Sequence, residues 1–457
     1  MFGKYKKLFF VGIGGAGMSG IAELLFNLEF DVRGSDLATS DVTDYLVTLG
    51  VKVHQGHSAE NLEDADLVVI SSAVSDDNPE VMAARDSGIP VIKRAEMLGE
   101  LMRLKRSIGV SGTHGKTTTT SMIGSVLRHA DYDPTIIVGG VVAGLGSGAA
   151  LGKGDYLVAE ADEYDRSFLA MYPTVAVVTN IEADHLDCYD GMDHLLASFV
   201  TYMNRVPFYG SVIISADDAN LALVRPEIAR PMVTFGFDAT ADYRATDVKL
   251  VAGRTRFTVW HIDELLGEVS LSVPGRHNVL NALAAVAACR EVEVPMSAIA
   301  EGLASFGGVR RRFEIIGEFN EVILVDDYAH HPTEIAATLT TARETYGRRV
   351  IVVYQPHLYS RTRDFAGQFA ESLSIADECL LTDIYPAREE PIEGVTSELI
   401  ARRAGASEGA RFSCIGPRSN VAAEVMKLVR KGDMIIIMGA GSITLACDEL
   451  KEALKTL

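Results

Sequence analysis

Short apolar runs alternate along the chain with longer segments of helical periodicity, and most of the runs end in glycine, acid or histidine. Such alternation predicts an α/β protein with mainly parallel sheets. The first run, "KLFFVGI" (Lys7–Ile13), reads as a strand followed by a glycine turn and a helix through about Leu28. "DLVVISSAV" (Asp66–Val74) and "GIPVIKRAEML" (Gly88–Leu98) continue that series. A second series opens with a strand, a loop and a helix in "RSIGVSGTHGKTTTTSMIGSVLRHA". It goes on through "DYLVAEADEYD" (Asp155–Asp165) and "TVAVVTNIEADHLD" (Thr174–Asp187), which read as buried strands ending in acids and a histidine. After "VRRRFE" (Val309–Glu314) come "EVILVDDYAHHP", "RRVIVVYQPHLYSRTRD" and "GDMIIIMGAGS". Boundaries near residues 106 and 310 follow, with domains at 1–106, 107–310 and 311–457, and a chain of 457 residues is too long for one core. In open α/β sheets ligands gather outside the carboxyl ends of the strands, and nearly every polar cluster of these three series falls at such an end.

Composition narrows the partners. With 48% hydrophobic and 23% charged residues the chain is of ordinary soluble, globular type. A formal charge of −20 argues against a broad nucleic-acid surface. It leaves room for nucleotides, since a few local cations and backbone amides suffice for a phosphate. The cysteines (Cys188, Cys289, Cys379, Cys414, Cys447) are scattered without a C-x-x-C, a pattern of reduced thiols rather than of a disulfide framework or a zinc cluster. The start, "MFGKYKKLFFVGIGGAG", imitates a signal peptide, but its apolar run breaks into glycines and soon meets Glu23, so a first strand is expected. The longest uncharged stretch, Pro134–Gly152, carries six glycines and is unsuited to a membrane helix. The expectation is a cytoplasmic protein with neither a nucleic-acid nor a membrane partner.

Two glycine clusters carry the chemistry. "VGIGGAGMSGIAELL" holds Gly12-x-Gly14-x-x-Gly17 between a strand and a helix, with Asp36 some twenty residues on. This is the dinucleotide fingerprint, acid included; NAD and a UDP-sugar present the same pyrophosphate to such a turn, and tight strand–helix packing is the plainer reading. The second cluster, "GVSGTHGKTTTT" (Gly109–Thr120), has Gly115-Lys116-Thr117, but Val110 stands where a P-loop has its leading glycine. Lys116 nevertheless follows a glycine-rich loop and leads a helix, so its ammonium suits β- and γ-phosphates and the Thr117 hydroxyl suits Mg²⁺. Glu160 and His185 end neighbouring strands, from which they can reach such a metal.

The ordered set "VGIGGAGMSGIAE", "GSD", "SSAV", "GTHGKTTTT", "AEADEYD", "TNIEADHLD", "PGRHNVLNALAA", "VRRRFE", "VDDYAHHPTE" and "QPHLYSRTRD" resembles the Mur ligase family over essentially the whole chain. That family uses G-T-[HN]-G-K-T, which makes Gly112 the leading glycine. The resemblance implies an N-terminal Rossmann-like domain for a UDP substrate, a central P-loop ATPase and a C-terminal Rossmann-like domain that closes over the site. It implies that Gly112, Thr113, His114, Gly115, Lys116, Thr117 and Thr118 hold ATP phosphates, and that Thr117, Glu160 and His185 hold Mg²⁺. Asn281 would meet adenine, and Arg312 and Asp327 would reach ATP. Tyr328, His330, His357 and Arg361 match positions for the amino-acid substrate, and Gly14, Gly15, Ala16, Gly17, Met18, Asp36 and Ser71 would line the UDP end. Several members carry a carbamylated lysine after the D-H motif; this chain has no lysine between Lys153 and Lys249, as in the alanine-adding branch.

What the resemblance implies is ATP-dependent ligation of L-alanine to the lactyl carboxylate of UDP-N-acetylmuramate in peptidoglycan synthesis, by a monomer or weak homodimer. Lys116, Glu160, His185 and His330 are the expected catalytic groups, with His330 or His357 as the base. The alternative is the recycling ligase, which attaches a tripeptide to the same UDP-sugar. A nicotinamide oxidoreductase would leave Lys116, Glu160 and His185 idle. A common GTPase would need an Asn-Lys-x-Asp reader, and the chain has no Asn-Lys pair. Plainer readings make His330-His331-Pro332 a helix cap and Arg361 and Arg363 surface charges near Asp364.

Overall fold

The computed structural model describes residues 5–456 apart from 16, 72, 140–148, 185–187, 252–253, 388 and 405–409. Its strands form three sheets. The first is wholly parallel, with β1 (Lys7–Val11), β2 (Asp31–Asp36), β3 (Lys52–Gln55), β4 (Leu67–Ile70) and β5 (Val91–Lys93) in the order β3-β2-β1-β4-β5. The order reverses beside β1, and the glycine turn leaves β1 at that point, where a doubly wound sheet opens its ligand crevice.

The second sheet contains β6 (Arg106–Ser111), β7 (Thr135–Ile137), β8 (Ala149–Ala150), β9 (Tyr156–Glu160) and β10 (Val175–Val178). It continues with β11 (Ser211–Ser215), β12 (Met232–Gly236), β13 (Tyr243–Val251), β14 (Arg254–His261) and β15 (Glu264–Leu271). The order is β15-β14-β13-β12-β11-β10-β6-β9-β7-β8, and β6 runs parallel to both β10 and β9. The long strand β13 buries alternate residues only at its start and is largely exposed beyond. A search for continuous apolar runs does not single out β13–β15.

The third sheet joins β16 (Glu314–Phe319), β17 (Val322–Asp327), β18 (Val350–Tyr354), β19 (Glu378–Thr382), β20 (Arg411–Gly416) and β21 (Met434–Met438) in the order β16-β17-β21-β18-β19-β20. Its centre, "VIVVY" and "MIIIM", is buried at every position, as strands covered on both faces must be. Only the edge pair β16–β17 is antiparallel.

Residue contacts group the chain into two compact units, Met1–Val248 with Arg256–Leu271 and Val279–Gly307, and Lys249–Thr255 with Ser272–Asn278 and Gly308–Leu457. Within the first unit one apolar cluster runs from Leu8, Phe10 and Val69 of the first sheet to Leu157, Ala176 and Val178 of the second. The approach is close. A Cβ on Gly20 would fall 2.4 Å from Ala149 Cβ, and one on Gly99 would fall 2.2 Å from the Ala170 carbonyl oxygen. In the second unit separate clusters cover the two faces of the third sheet. Among the described residues no helix is long and apolar enough to cross a membrane.

Candidate active site

The strand β6 ends at Ser111 and hands the chain to Gly112, whose φ of 126° excludes a side chain, and to Gly115 at 83°. The end of β10 ties this loop down: Thr113 N donates to the Asn180 carbonyl (3.0 Å), His114 N to Asn180 Oδ1 (2.9 Å), and Thr179 Oγ1 to the His114 carbonyl (2.6 Å). The helix Lys116–His129 then starts without a side-chain cap and without an acid in its first turn. Its leading amides and the positive end of its dipole are left for an anion, which fits a phosphate.

Four described side chains, Lys116, Thr117, Glu160 and Glu163, fill the mouth of that loop. Lys116 Nζ turns back onto the carbonyls of Gly112 (2.8 Å) and Thr113 (3.3 Å), and meets both carboxylate oxygens of Glu163 at 3.0 and 2.8 Å. Thr117 Oγ1 donates to Glu160 Oε1 at 2.5 Å, and the other Glu160 oxygen accepts from Gly139 N. Two hard oxygen donors meeting beside a phosphate cradle are what a magnesium ion takes. The third expected ligand, His185, lies outside the described residues. Asn281 is buried on the helix Arg276–Glu291, with Oδ1 3.3 Å from Thr119 Oγ1, and a Cβ on Gly115 would come within 2.5 Å of it.

Glu163 is a functional candidate that sequence reasoning misses. It is 2% exposed, and Tyr189 Oη donates to its carbonyl. Burial lifts its carboxyl to about 7, against the pull of Lys116. The same burial penalises the Lys116 ammonium, which Glu163 and Asp162 nonetheless hold above its ordinary range. The signal is the acid-rich "EADEYD", from which the strand-end argument selects only Glu160.

The first glycine turn is also anion-shaped. Gly12 N and Ile13 N donate to the Ser35 carbonyl, Gly12 and Gly17 take φ of 76° and 77°, and the helix Met18–Asn27 begins uncapped and without an acid. Asp36 Oδ2 accepts from Gly14 N at 2.9 Å, which brings the expected ribose partner onto the turn. A Cβ on Gly14 would lie 2.8 Å from Thr43 Cγ2, one on Gly15 3.2 Å from the Gly12 carbonyl, and one on Gly12 3.7 Å from Ser71 Oγ, so Ser71 borders the same turn. Met18 is fully buried, which leaves only its backbone for a ligand, and Ala16 lies outside the described residues. Arg94, which the motifs do not include, starts the helix Arg94–Met102, and its Nη1 is 2.9 Å from where a Gly17 Cβ would stand.

The second unit gathers its own set. Arg311 and Arg312 stand over the Tyr328 ring at 4.9 and 5.3 Å, and Arg312 Nη1 is 3.2 Å from Glu334. His330 Nδ1 lies 3.1 Å from the Tyr328 carbonyl and 3.3 Å from Glu334; its ring is 5.9 Å from that of His357, which stacks on Tyr385. The helix Pro332–Tyr346 is capped by His331 without a side-chain bond, so the histidine pair is not there as a side-chain cap. Arg361 is 8% exposed, against the surface reading, whereas Arg363 is exposed and bound to Asp364. Asp327 is turned inward: it accepts from Phe313 N (2.8 Å), Ala329 N (2.7 Å) and Thr338 Oγ1 (3.3 Å), and burial lifts its carboxyl to about 6.

Three family patterns cover most of the chain: "Mur ligase family, catalytic domain" at residues 7–106, "Mur ligase middle domain" at 110–289 and "Mur ligase, glutamate ligase domain" at 311–441. A UDP-N-acetylmuramate–L-alanine ligase of Geotalea daltonii is 49% identical over 455 residues, 100% of this chain and 99% of that protein. The solved structure of the UDP-N-acetylmuramate-alanine ligase MurC of Thermotoga maritima matches with a TM-score of 0.80 at 31% identity, over 98% of this chain and 99% of that one. A murein peptide ligase of Psychrobacter arcticus matches at 0.70 and 27%, over 99% of each.

Proposed function

The chain belongs to the Mur ligase family, and from that premise we propose that it is the ATP-dependent ligase that joins L-alanine to the lactyl carboxylate of UDP-N-acetylmuramate in peptidoglycan precursor synthesis. The observation that carries this reading is the uncapped helix at Lys116, with its lysine and the Thr117–Glu160 pair at one loop mouth. Full-length likeness at 49% to an alanine ligase, and a TM-score of 0.80 to a solved alanine ligase against 0.70 to a murein peptide ligase, support L-alanine over the tripeptide.

A carboxylate is a poor electrophile, because its oxygens share the charge and neither can leave. The γ-phosphoryl group of ATP passes to a lactyl oxygen, giving an acyl phosphate and ADP. The neutral amine of L-alanine attacks the acyl carbon, and the tetrahedral intermediate expels phosphate. Both partners of the first step are anions, so fixed positive charge decides its rate. Lys116 and the first amides of its helix supply that charge from the first unit, and Arg312 is the candidate in the second. Magnesium, held by Thr117, Glu160 and His185, would add its own charge at the phosphates. Asn281 serves adenine. Asp327 acts by fixing the backbone at Phe313 and Ala329, beside Arg312. Tyr328, His330, His357 and Arg361 serve the amino acid, with His330 or His357 taking the ammonium proton. The first glycine turn, Asp36 and Ser71 serve the UDP end. Residues 1–106, 107–310 and 311–457 thus divide UDP, ATP and amino-acid binding, the last also reaching ATP.

The deciding assay follows phosphate release from Mg-ATP and UDP-N-acetylmuramate with L-alanine, the tripeptide or no amine. Release with L-alanine and formation of the amide are expected. Release with the tripeptide alone would move the protein to the recycling ligases, and folded protein silent with every amine would overturn the substrate assignment.

A further inference from the structure

We infer that Glu163 is a positioning residue for the phosphoryl transfer: it holds the Lys116 ammonium in place at the mouth of the phosphate loop. The inference rests on the reading of that loop as an ATP site. A lysine ammonium has three protons, and around Nζ stand the Gly112 and Thr113 carbonyls and both Glu163 oxygens, all within 3.3 Å. Asp162 Oδ1 is farther off, at 3.7 Å, and half exposed. Among the described residues Glu163 is therefore the closest counter-charge of a side chain that is itself largely buried. Buried ion pairs add little net stability, because desolvation offsets their attraction, so stability alone does not account for this one.

The backbone around Glu163 is built to deliver its side chain. Ala161 N donates to the Val110 carbonyl, which extends the β6–β9 pairing beyond the strand end. Tyr189 Oη and Arg166 N both donate to the Glu163 carbonyl. Shortly after it, Asp165 and Arg166 take left-handed φ of 52° and 55°. Two successive non-glycine residues in that region are strained and persist only where the surroundings over-determine them. The turn reverses the chain within a few residues of the phosphate loop, and its product is one carboxylate aimed at one ammonium. Without it, among the described residues, Lys116 keeps hydrogen bonds to the Gly112 and Thr113 carbonyls and the looser, half-exposed Asp162, and its hold on the place where phosphate must meet it weakens.

Glu163→Gln preserves size and removes the charge. With the unfolding temperature close to that of the parent, kcat/KM for Mg-ATP is expected to fall about 30-fold or more, in the range for breaking a buried, hydrogen-bonded charge pair. KM for UDP-N-acetylmuramate should change less than about twofold. Lys116→Met alone and the double variant should then be equally impaired, since the two residues act as a unit. A Glu163→Gln enzyme with parental ATP kinetics, or losses that multiply in the double variant, overturns the inference. If Gln prevents folding, Glu163→Asp keeps the charge but withdraws it from Nζ, and the same selective loss in ATP kinetics is expected; parental kinetics there also overturn it. Should Lys116→Met itself leave ATP kinetics unchanged, it is the phosphate-loop reading that fails.

Discussion

Gly112→Ala adds one methyl group to the phosphate loop, and the structure fixes where it goes. The new Cβ would lie 2.1 Å from Thr179 Oγ1 and 3.0 Å from both Thr179 N and the Asn180 carbonyl oxygen. Carbon and oxygen rest no closer than about 3.3 Å, so the Thr179 hydroxyl, which ties down the loop at the His114 carbonyl, must leave its place by roughly 1 Å, and the two backbone neighbours must give by a few tenths. Two of the three neighbours are backbone atoms and cannot rotate away. The φ of 126° adds strain of about 1–3 kcal/mol for any residue with a side chain. A loop that loses this tie at His114 can drift by about 1 Å, and a misplacement of that size in groups that hold a reacting phosphate is worth about 100-fold in rate. The comparison is Gly56→Ala, at φ 81° with nothing within 4 Å of the added carbon, which carries backbone strain without the collision. Steady-state phosphate release at varied Mg-ATP, with calorimetric unfolding of both variants, separates the two effects. Gly56→Ala should lose a few degrees of stability and keep its ATP kinetics; Gly112→Ala should lose kcat/KM for ATP by about two orders of magnitude. A folded Gly112→Ala enzyme within threefold of the parent would refute the claim that this loop holds the phosphates.

Three further outcomes are expected. Arg94→Ala removes a guanidinium beside Gly17 and should raise KM for UDP-N-acetylmuramate about tenfold while leaving KM for ATP alone, read from two-substrate kinetics. Chelation of divalent cations should abolish phosphate release and added Mg²⁺ restore it; Glu160→Gln should shift the Mg²⁺ dependence to higher concentration, and an unchanged titration would remove Glu160 from the metal site. Asp327, lifted to about 6 from an ordinary 3.8, favours the folded state while protonated, and that contribution is lost as pH rises through about 6. The Asp327→Asn protein should therefore gain on the parent by up to about 3 kcal/mol between pH 4 and pH 7, measured by denaturant unfolding, and a difference independent of pH would contradict the shift.

What the sequence made legible was whatever the parallel sheets bring to one edge. Thr117 and Glu160 are 43 residues apart, yet one opens the helix after β6 and the other ends the neighbouring β9, and reading each from its strand was enough to pair them. The glycines announced themselves because no other residue suits their backbone. Arg94 was hidden for the opposite reason: it meets Gly17 only through the helix that follows β5, and nothing in "VIKRAEML" marks one basic residue over the next. Glu163 was obscured by its company, since a run of four acids in six residues does not reveal which one is buried. The exposed alternation of β13 gave no continuous apolar run to follow. Arg361 and Arg363 look alike in the sequence, and only packing of the helix Tyr359–Leu373 distinguishes the buried guanidinium from the solvated one.

The shared core beneath the first two sheets has a consequence for how such a protein can be taken apart or inherited. Leu24, Leu98, Leu101 and Met102 belong to the same cluster as Phe168, Phe199 and Tyr202, and Gly20 and Gly99 admit their neighbours at distances that leave no room for a methyl group. A scissor cut near residue 106 would bare that surface on both fragments, and a fragment ending there should be recovered as aggregate. The first glycine turn and the loop before Lys116 therefore stand on one core: neither could be exchanged for a foreign module without recarving the bed of the other.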